Sequence, residues 1–193
     1  MNYDPKITAE YLEEVRGVLK GLEGQLEDFV NDLYTTYLEG KTIFLIGNGG
    51  SAANASHFAQ DLAKGTLPSI RVKKRFRAIS LTDNVSYLTA LANDEGYESI
   101  FVQQLINLAR PGDRLIAISG SGDSPNILRA VEYANQLGMT ALGVTGYEGG
   151  ELRSLVNLMI NVPSHKMGLV EAVHSIAFHL IHSQLCRILE TKS

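Results

Sequence analysis

The chain has 193 residues, 45% of them hydrophobic and 20% charged, with a formal net charge of −4. That length suffices for one domain with a real core, and the composition is that of a globular protein. The negative charge argues against a general nucleic-acid or membrane-surface binder, and no stretch reaches the roughly 20 apolar residues of a membrane span.

Residues 6 to about 39 lack proline and carry apolar or aromatic residues at helical spacing, from Tyr11, Val15 and Leu19 to Phe29, Leu33 and Tyr37. This predicts one long helix or two, stopped by Gly40. The run "TIFLIG" reads as a buried strand and "SAANASHFAQDLAKG" as a helix. The basic cluster "RVKKRFR", residues 71–77, reads as a solvated loop or edge ahead of the strand "FRAISL", with a local basic patch as the other reading. "SYLTALAND" and "SIFVQQLINLA" are helical, "RPGD" is a turn and "RLIAISG" a strand. "SPNILRAVEYANQLG" is a helix closed by Gly138, "TALGVTG" and "LMINVP" are strands, and a last helix runs from about Val170 to Leu189. Alternating strands and helices predict an α/β fold with a doubly wound, five-stranded parallel sheet flanked by helices. One domain over 1–193 is expected, with a helical segment over 1–40 ahead of an α/β core over 41–193. The N-terminal helix stands outside the alternation, and a subunit interface is a natural place for its apolar stripe. The single cysteine, Cys186, excludes an internal disulfide framework and reads as a packing residue. No N-terminal apolar run resembles a signal peptide, so a cytoplasmic protein is the default.

Two strands end in matching chemistry. "FLIG" runs into Asn48, Gly49, Gly50 and Ser51, and "LIAIS" into Gly120, Ser121, Gly122, Asp123, Ser124 and Pro125, each ahead of a helix. Small residues with bare amides and hydroxyls at a helix N-terminus suit a phosphate. Ser124 reads as an N-cap before Pro125, leaving Ser119 and Ser121 free to face a ligand. The alternative is a pair of ordinary strand–turn–helix junctions, and "GxxxxGK[ST]" is absent. His57 and Asp61, spaced i, i+4, share one helix face and can bind a metal or act as acid and base; the plainer reading is an imidazole held by a surface carboxylate. The last helix holds Glu171, His174, His179 and His182. Glu171, His174 and His182 fall on one side, with His179 about 80° from Glu171, and any of these histidines can be structural. "TALANDEGY" is a loop candidate carrying Asn93 and Asp94, or simply a helix stop.

The order of "GNGGSAANASHFA", "TDNVSYLTALANDEGY", "ISGSGDSPNIL", "VTGYEGGEL" and "VEAVHSIAFHLI" resembles the bacterial phosphoheptose isomerases of the sugar isomerase (SIS) domain group, over nearly the whole chain. The resemblance implies an SIS, flavodoxin-like fold and interconversion of sedoheptulose 7-phosphate and D-glycero-D-manno-heptose 7-phosphate in heptose and polysaccharide precursor synthesis. It also implies a homotetramer with sites between subunits and bound zinc or another divalent metal. Its phosphate pocket maps onto Ser51, Ser119, Gly120, Ser121 and Ser124. Its sugar-binding segments map onto Asn48, Gly49, Gly50, Asn93 and Asp94, with Glu171. Its metal or catalytic quartet maps onto His57, Asp61, Glu171 and His179, with Asp61 as base and His179 as acid. The family usually carries glutamate at position 61, glutamine at 171 and arginine at 169, where this chain has Asp61, Glu171 and Leu169. Glu171 and His179 lie about 12 Å apart along a straight helix, so one metal held by both demands long reaches or ligands from neighbouring subunits. Two alternatives stand beside this expectation. One is a non-catalytic SIS protein similar to the DnaA-initiator-associating protein, binding that partner or sensing a sugar phosphate. The other is an isomerase of a different sugar phosphate. The ionisable groups at Asp61 and His179 favour an enzyme.

Overall fold

The computed structural model describes residues 4–191. Two helices open the chain, α1 (Pro5–Gly21) and α2 (Glu23–Glu39). Asp4 caps α1 by accepting from the Lys6 N–H at 2.9 Å, with Pro5 in the first turn where its missing donor costs nothing. The apolar pattern over 6–39 therefore resolves as two helices. The break is one tightened turn at Leu22, whose N–H bonds to the Leu19 carbonyl at 3.1 Å, between the poor helix formers Gly21 and Gly24. Gly40, at φ 67°, ends α2 in the left-handed conformation.

The α/β part follows as β1 (Thr42–Gly47), α3 (Gly50–Gln60), a single π-turn (Asp61–Gly65), β2 (Arg77–Ser80), α4 (Val85–Asp94), a 3₁₀ turn (Tyr97–Ser99) and α5 (Val102–Leu108). Then come β3 (Arg114–Ser119), α6 (Pro125–Leu137), β4 (Thr140–Gly146), a second 3₁₀ turn (Glu151–Ser154), β5 (Leu158–Val162) and α7 (Met167–Thr191). The five strands are parallel in the order β2-β1-β3-β4-β5. The predicted doubly wound sheet is present, and its winding reverses between β1 and β3. That is the switch point, where ligands bind beyond the carboxyl ends of the strands. Register aligns those ends: Gly47 pairs with Ile118, and Ser119 with Thr145.

Side chains alternate across the sheet into two cores. Ile43, Leu45, Ile116, Ile118, Leu142 and Val144 face α1, α2, α3 and α7. Phe44, Ile46, Leu115, Ala117 and Ala141 face α5 and α6, with α4 at the margin. The stripe of the N-terminal helices is largely buried within this chain: Val15, Leu22, Phe29 and Leu33 sit in the first core. Arg114 Nε donates to both Asp32 carboxylate oxygens at 3.1 and 3.0 Å, which ties α2 to the start of β3. Ile7, Tyr11 and Leu12 of α1 and Leu180 of α7 remain on the surface. Among the described residues no helix is long and apolar enough to cross a membrane.

Candidate functional site

The two glycine loops flank the switch point. Gly49 is the N-cap of α3; the Ser51 and Ala52 N–H groups bond back to the Asn48 and Gly49 carbonyls, which leaves the Gly50 N–H as the open donor at this helix start. Glu171, from the first turns of α7, lies against this helix start: a methyl group at Gly50 would stand 2.6 Å from Glu171 Oε1. A carboxylate at a helix N-terminus is favoured by the dipole. Ser51 beside it is buried.

The second loop differs from the expectation in two respects. Ser119 is not free to face a ligand: it is 4% exposed, and its Oγ accepts from the Gly122 N–H at 3.1 Å and meets Ser124 Oγ at 3.2 Å. Ser124 is the N-cap of α6 by backbone, its carbonyl accepting from Ile127 N–H, but its hydroxyl makes no capping bond. The short link from Ser119 outcompetes the cap, and since Pro125 has no N–H and Ile127 is bonded, the Asn126 N–H is the open donor in the first turn of α6. Ser121 is exposed, and Gly120 is covered by the Met167 thioether. The segment "YEGGEL" braces the loop from outside, with Glu151 N–H donating to Asp123 Oδ1 at 2.8 Å and Leu152 N–H to the Gly122 carbonyl at 3.0 Å.

Two residues missed at the sequence level join the loops. Asn48 and Asn126 exchange amide hydrogen bonds of 2.9 and 2.8 Å across the switch point, and Tyr97 donates its hydroxyl proton to Asn48 Oδ1 at 2.9 Å. Their signal was adjacency alone: Asn126 follows Ser124-Pro125, and Tyr97 ends "TALANDEGY". Asn93 and Asp94 are not in a loop; α4 continues through Asp94. Asn93 donates to Asp94 Oδ1 at 2.7 Å, and among the described residues neither side chain bonds to the glycine loops.

Gly50, Asn54, His57 and Asp61 recur every three to four residues and share the face of α3 that meets α7. At its far end three of the four expected ligands converge. His57 Nε2 lies 3.7 Å from Asp61 Oδ1, and His179 Nε2 lies 3.7 Å from Asp61 Oδ2. The imidazoles meet edge to face at 5.0 Å between centroids, and one ligand atom from each residue falls within 4.8 Å of the other two. Asp61 opens the π-turn, and its side chain is 13% exposed between imidazoles that are each 53% exposed. Two imidazoles and a carboxylate on one point are a donor set that fits zinc. Glu171 does not join them: it is held near Gly50, about 10 Å away along the α3 axis.

The other ionisable groups of α7 have separate roles. His174 is fully buried, with Nε2 2.9 Å from the Thr145 carbonyl, and burial pushes its pKa down to about 4. Unfolding releases it to about 6.5, so the unfolded chain binds the extra proton as pH falls from 6.5 to 4. Stability is fully present above pH 6.5 and drops by about 3 kcal/mol by pH 4 from this group. Urea unfolding across that range should show the loss, and His174→Gln should flatten it. His182 Nε2 lies 3.3 Å from Cys186 Sγ, and burial, then the charges of Glu190 and Asp61, raise the pKa of that thiol.

The SIS domain family matches residues 10–146. The phosphoheptose isomerase of Mycobacterium tuberculosis is 44% identical over 149 residues, 77% of this chain and 74% of that one. The phosphoheptose isomerase of Trichlorobacter lovleyi is 34% identical over 187 residues, covering 94% and 91%. The solved phosphoheptose isomerase of Neisseria gonorrhoeae superposes with a TM-score of 0.85 at 28% identity, covering 94% and 95%. The chain belongs to the SIS domain family, among its phosphoheptose isomerases.

Proposed function

We propose that this protein is a phosphosugar isomerase that interconverts sedoheptulose 7-phosphate and D-glycero-D-manno-heptose 7-phosphate through an enediolate. The observation that carries this is the convergence of His57, Asp61 and His179 at one end of an α3 face whose other end opens on two anion-ready loops. The phosphate is held by the open N–H groups of Gly50 and Asn126, with Ser121 and Ser124; Ser119 and Ser51 hold the loops in shape. About 10 Å along α3 separates that end from the acid–base group, room for a chain of several carbons. Binding energy at the phosphate orients the reacting carbons.

Asp61 takes the proton from the hydroxymethyl carbon beside the ketone, and a proton that has exchanged with solvent on the carboxyl is returned to the former carbonyl carbon. His179 gives a proton to the carbonyl oxygen as the neighbouring hydroxyl loses its own, so the sugar is rearranged with no net gain of atoms. His57, on the other Asp61 oxygen, orients the carboxylate. Glu171 faces the sugar hydroxyls from the start of α7. His57, Asp61 and His179 would also hold zinc or another divalent ion, which when bound would polarise the carbonyl oxygen in place of the His179 proton. The proposal includes a homotetramer with sites completed between subunits; the exposed imidazoles and the apolar Ile7, Leu12 and Leu180 surface support it.

Assay of the purified protein with sedoheptulose 7-phosphate, with and without a chelator, tests the proposal. Aldose formation is expected, with a fall on chelation restored by zinc. No turnover at any metal loading contradicts it.

A further inference from the structure

We propose that Tyr97 and Asn126 are positioning residues that fix Asn48 as a hydrogen-bond donor to the sugar, an inference that rests on the isomerase function above. Asn48 Oδ1 accepts from Tyr97 OH at 2.9 Å and from Asn126 Nδ2 at 2.8 Å, which fills both of its lone pairs. Asn48 Nδ2 gives one proton to Asn126 Oδ1 at 2.9 Å. Its second N–H has no acceptor among the described residues, and it lies at the switch point where the substrate binds. An amide so bonded offers the crevice a donor and no acceptor.

Each of the three residues is needed for that polarity. The Asn48–Asn126 pair alone survives a concerted flip of both amides, which would turn an oxygen to the crevice. The phenol breaks the symmetry by giving Asn48 Oδ1 a donor at 2.9 Å, a bond that a flipped amide would lose. Asn126 is 2% exposed, so its amide has no water to satisfy a wrong orientation. Tyr97, by contrast, is 57% exposed, too open to be kept for packing. Its place is nevertheless fixed. Gly96 turns the chain at φ 89°, which side chains resist, and Arg129 of α6 holds the turn through Ser99 Oγ at 3.2 Å and Glu98 at 4.0 Å. The turn is thus pinned to the helix that carries Asn126.

The test is steady-state kinetics of Tyr97→Phe and Asn126→Asp with sedoheptulose 7-phosphate, beside the affinity of each for inorganic phosphate and its thermal midpoint. The donor is used alike in ground and transition states, so KM should rise about fivefold to tenfold in Tyr97→Phe, with kcat within about twofold of wild type. Asn126→Asp, which removes the N–H facing Asn48 Oδ1, should raise KM at least as much. Phosphate affinity should stay unchanged in Tyr97→Phe, because the anion loops do not use the phenol, whereas Asn126→Asp sets a carboxylate in the first turn of α6 and should weaken phosphate as well. Wild-type turnover with an unaltered KM in Tyr97→Phe overturns the inference alone. So does a KM rise in Tyr97→Phe matched by loss of phosphate affinity and a lower midpoint, the mark of a merely structural role. Absence of wild-type turnover overturns the isomerase function and this inference with it.

Discussion

Replacing Asp61 by asparagine is expected to lower kcat for isomerisation by about 10²–10⁴-fold, the usual worth of a positioned general base. The substitution is nearly isosteric and keeps a hydrogen-bonding group between His57 and His179, so the fold should survive, and an unchanged thermal midpoint would show it. What is lost is the one group in the cluster that carries negative charge and sits between both imidazoles, 3.7 Å from each. Because the same carboxylate completes the metal-capable set, Asp61→Asn should also weaken zinc binding, which isothermal titration reads separately from turnover. Asp61→Glu places the carboxylate one methylene further out. Its activity should fall between wild type and Asp61→Asn, since base placement matters at about the ångström level. Full activity in Asp61→Asn would remove Asp61 from the role of base.

Gly122→Ala should be the most damaging single change in the phosphate loop, destabilising the protein by about 3 kcal/mol and raising KM for the phosphosugar. Gly122 sits at φ 81°, where a side chain is strained, and its N–H already serves Ser119. A methyl group there would collide with the Gly149 carbonyl, a backbone atom of the bracing segment that cannot rotate away. Gly138→Ala is the control. It has nearly the same φ, 82°, but nothing within 4 Å of the added methyl, so it should cost only the backbone strain of about 1–2 kcal/mol. Denaturant unfolding of the two variants separates strain from collision. Equal losses would show that the brace does not press on the loop.

Much of the fold was legible because local chemistry decided it. "TIFLIG" and "RLIAIS" are short apolar runs that only a fully covered parallel strand tolerates, and every residue of both is buried. Gly40 and Gly138 announced helix ends and take left-handed φ. The break at Leu22 left only a faint mark, Gly21 and Gly24, while the apolar pattern runs straight through, so one helix and two stayed open in the sequence. In the site, His57 and Asp61 were readable from i, i+4 spacing, but their meeting with His179 depends on α3 packing against α7, far along the chain. Glu171 was placed with the metal ligands by resemblance, and the same helix packing that brings in His179 sets it two turns away at Gly50. The burial of Ser119 and the bond from Tyr97 to Asn48 arise from contacts between loops, which spacing along one segment does not encode.

The most direct test of the whole account is isomerisation in heavy water followed by proton NMR. With wild-type protein and sedoheptulose 7-phosphate, an aldose should appear carrying deuterium at the carbon next to its aldehyde, and Asp61→Asn should form neither product nor label on that timescale. A ketose left unchanged by the wild-type protein, or labelled aldose formed by Asp61→Asn at the wild-type rate, would contradict proton transfer through Asp61.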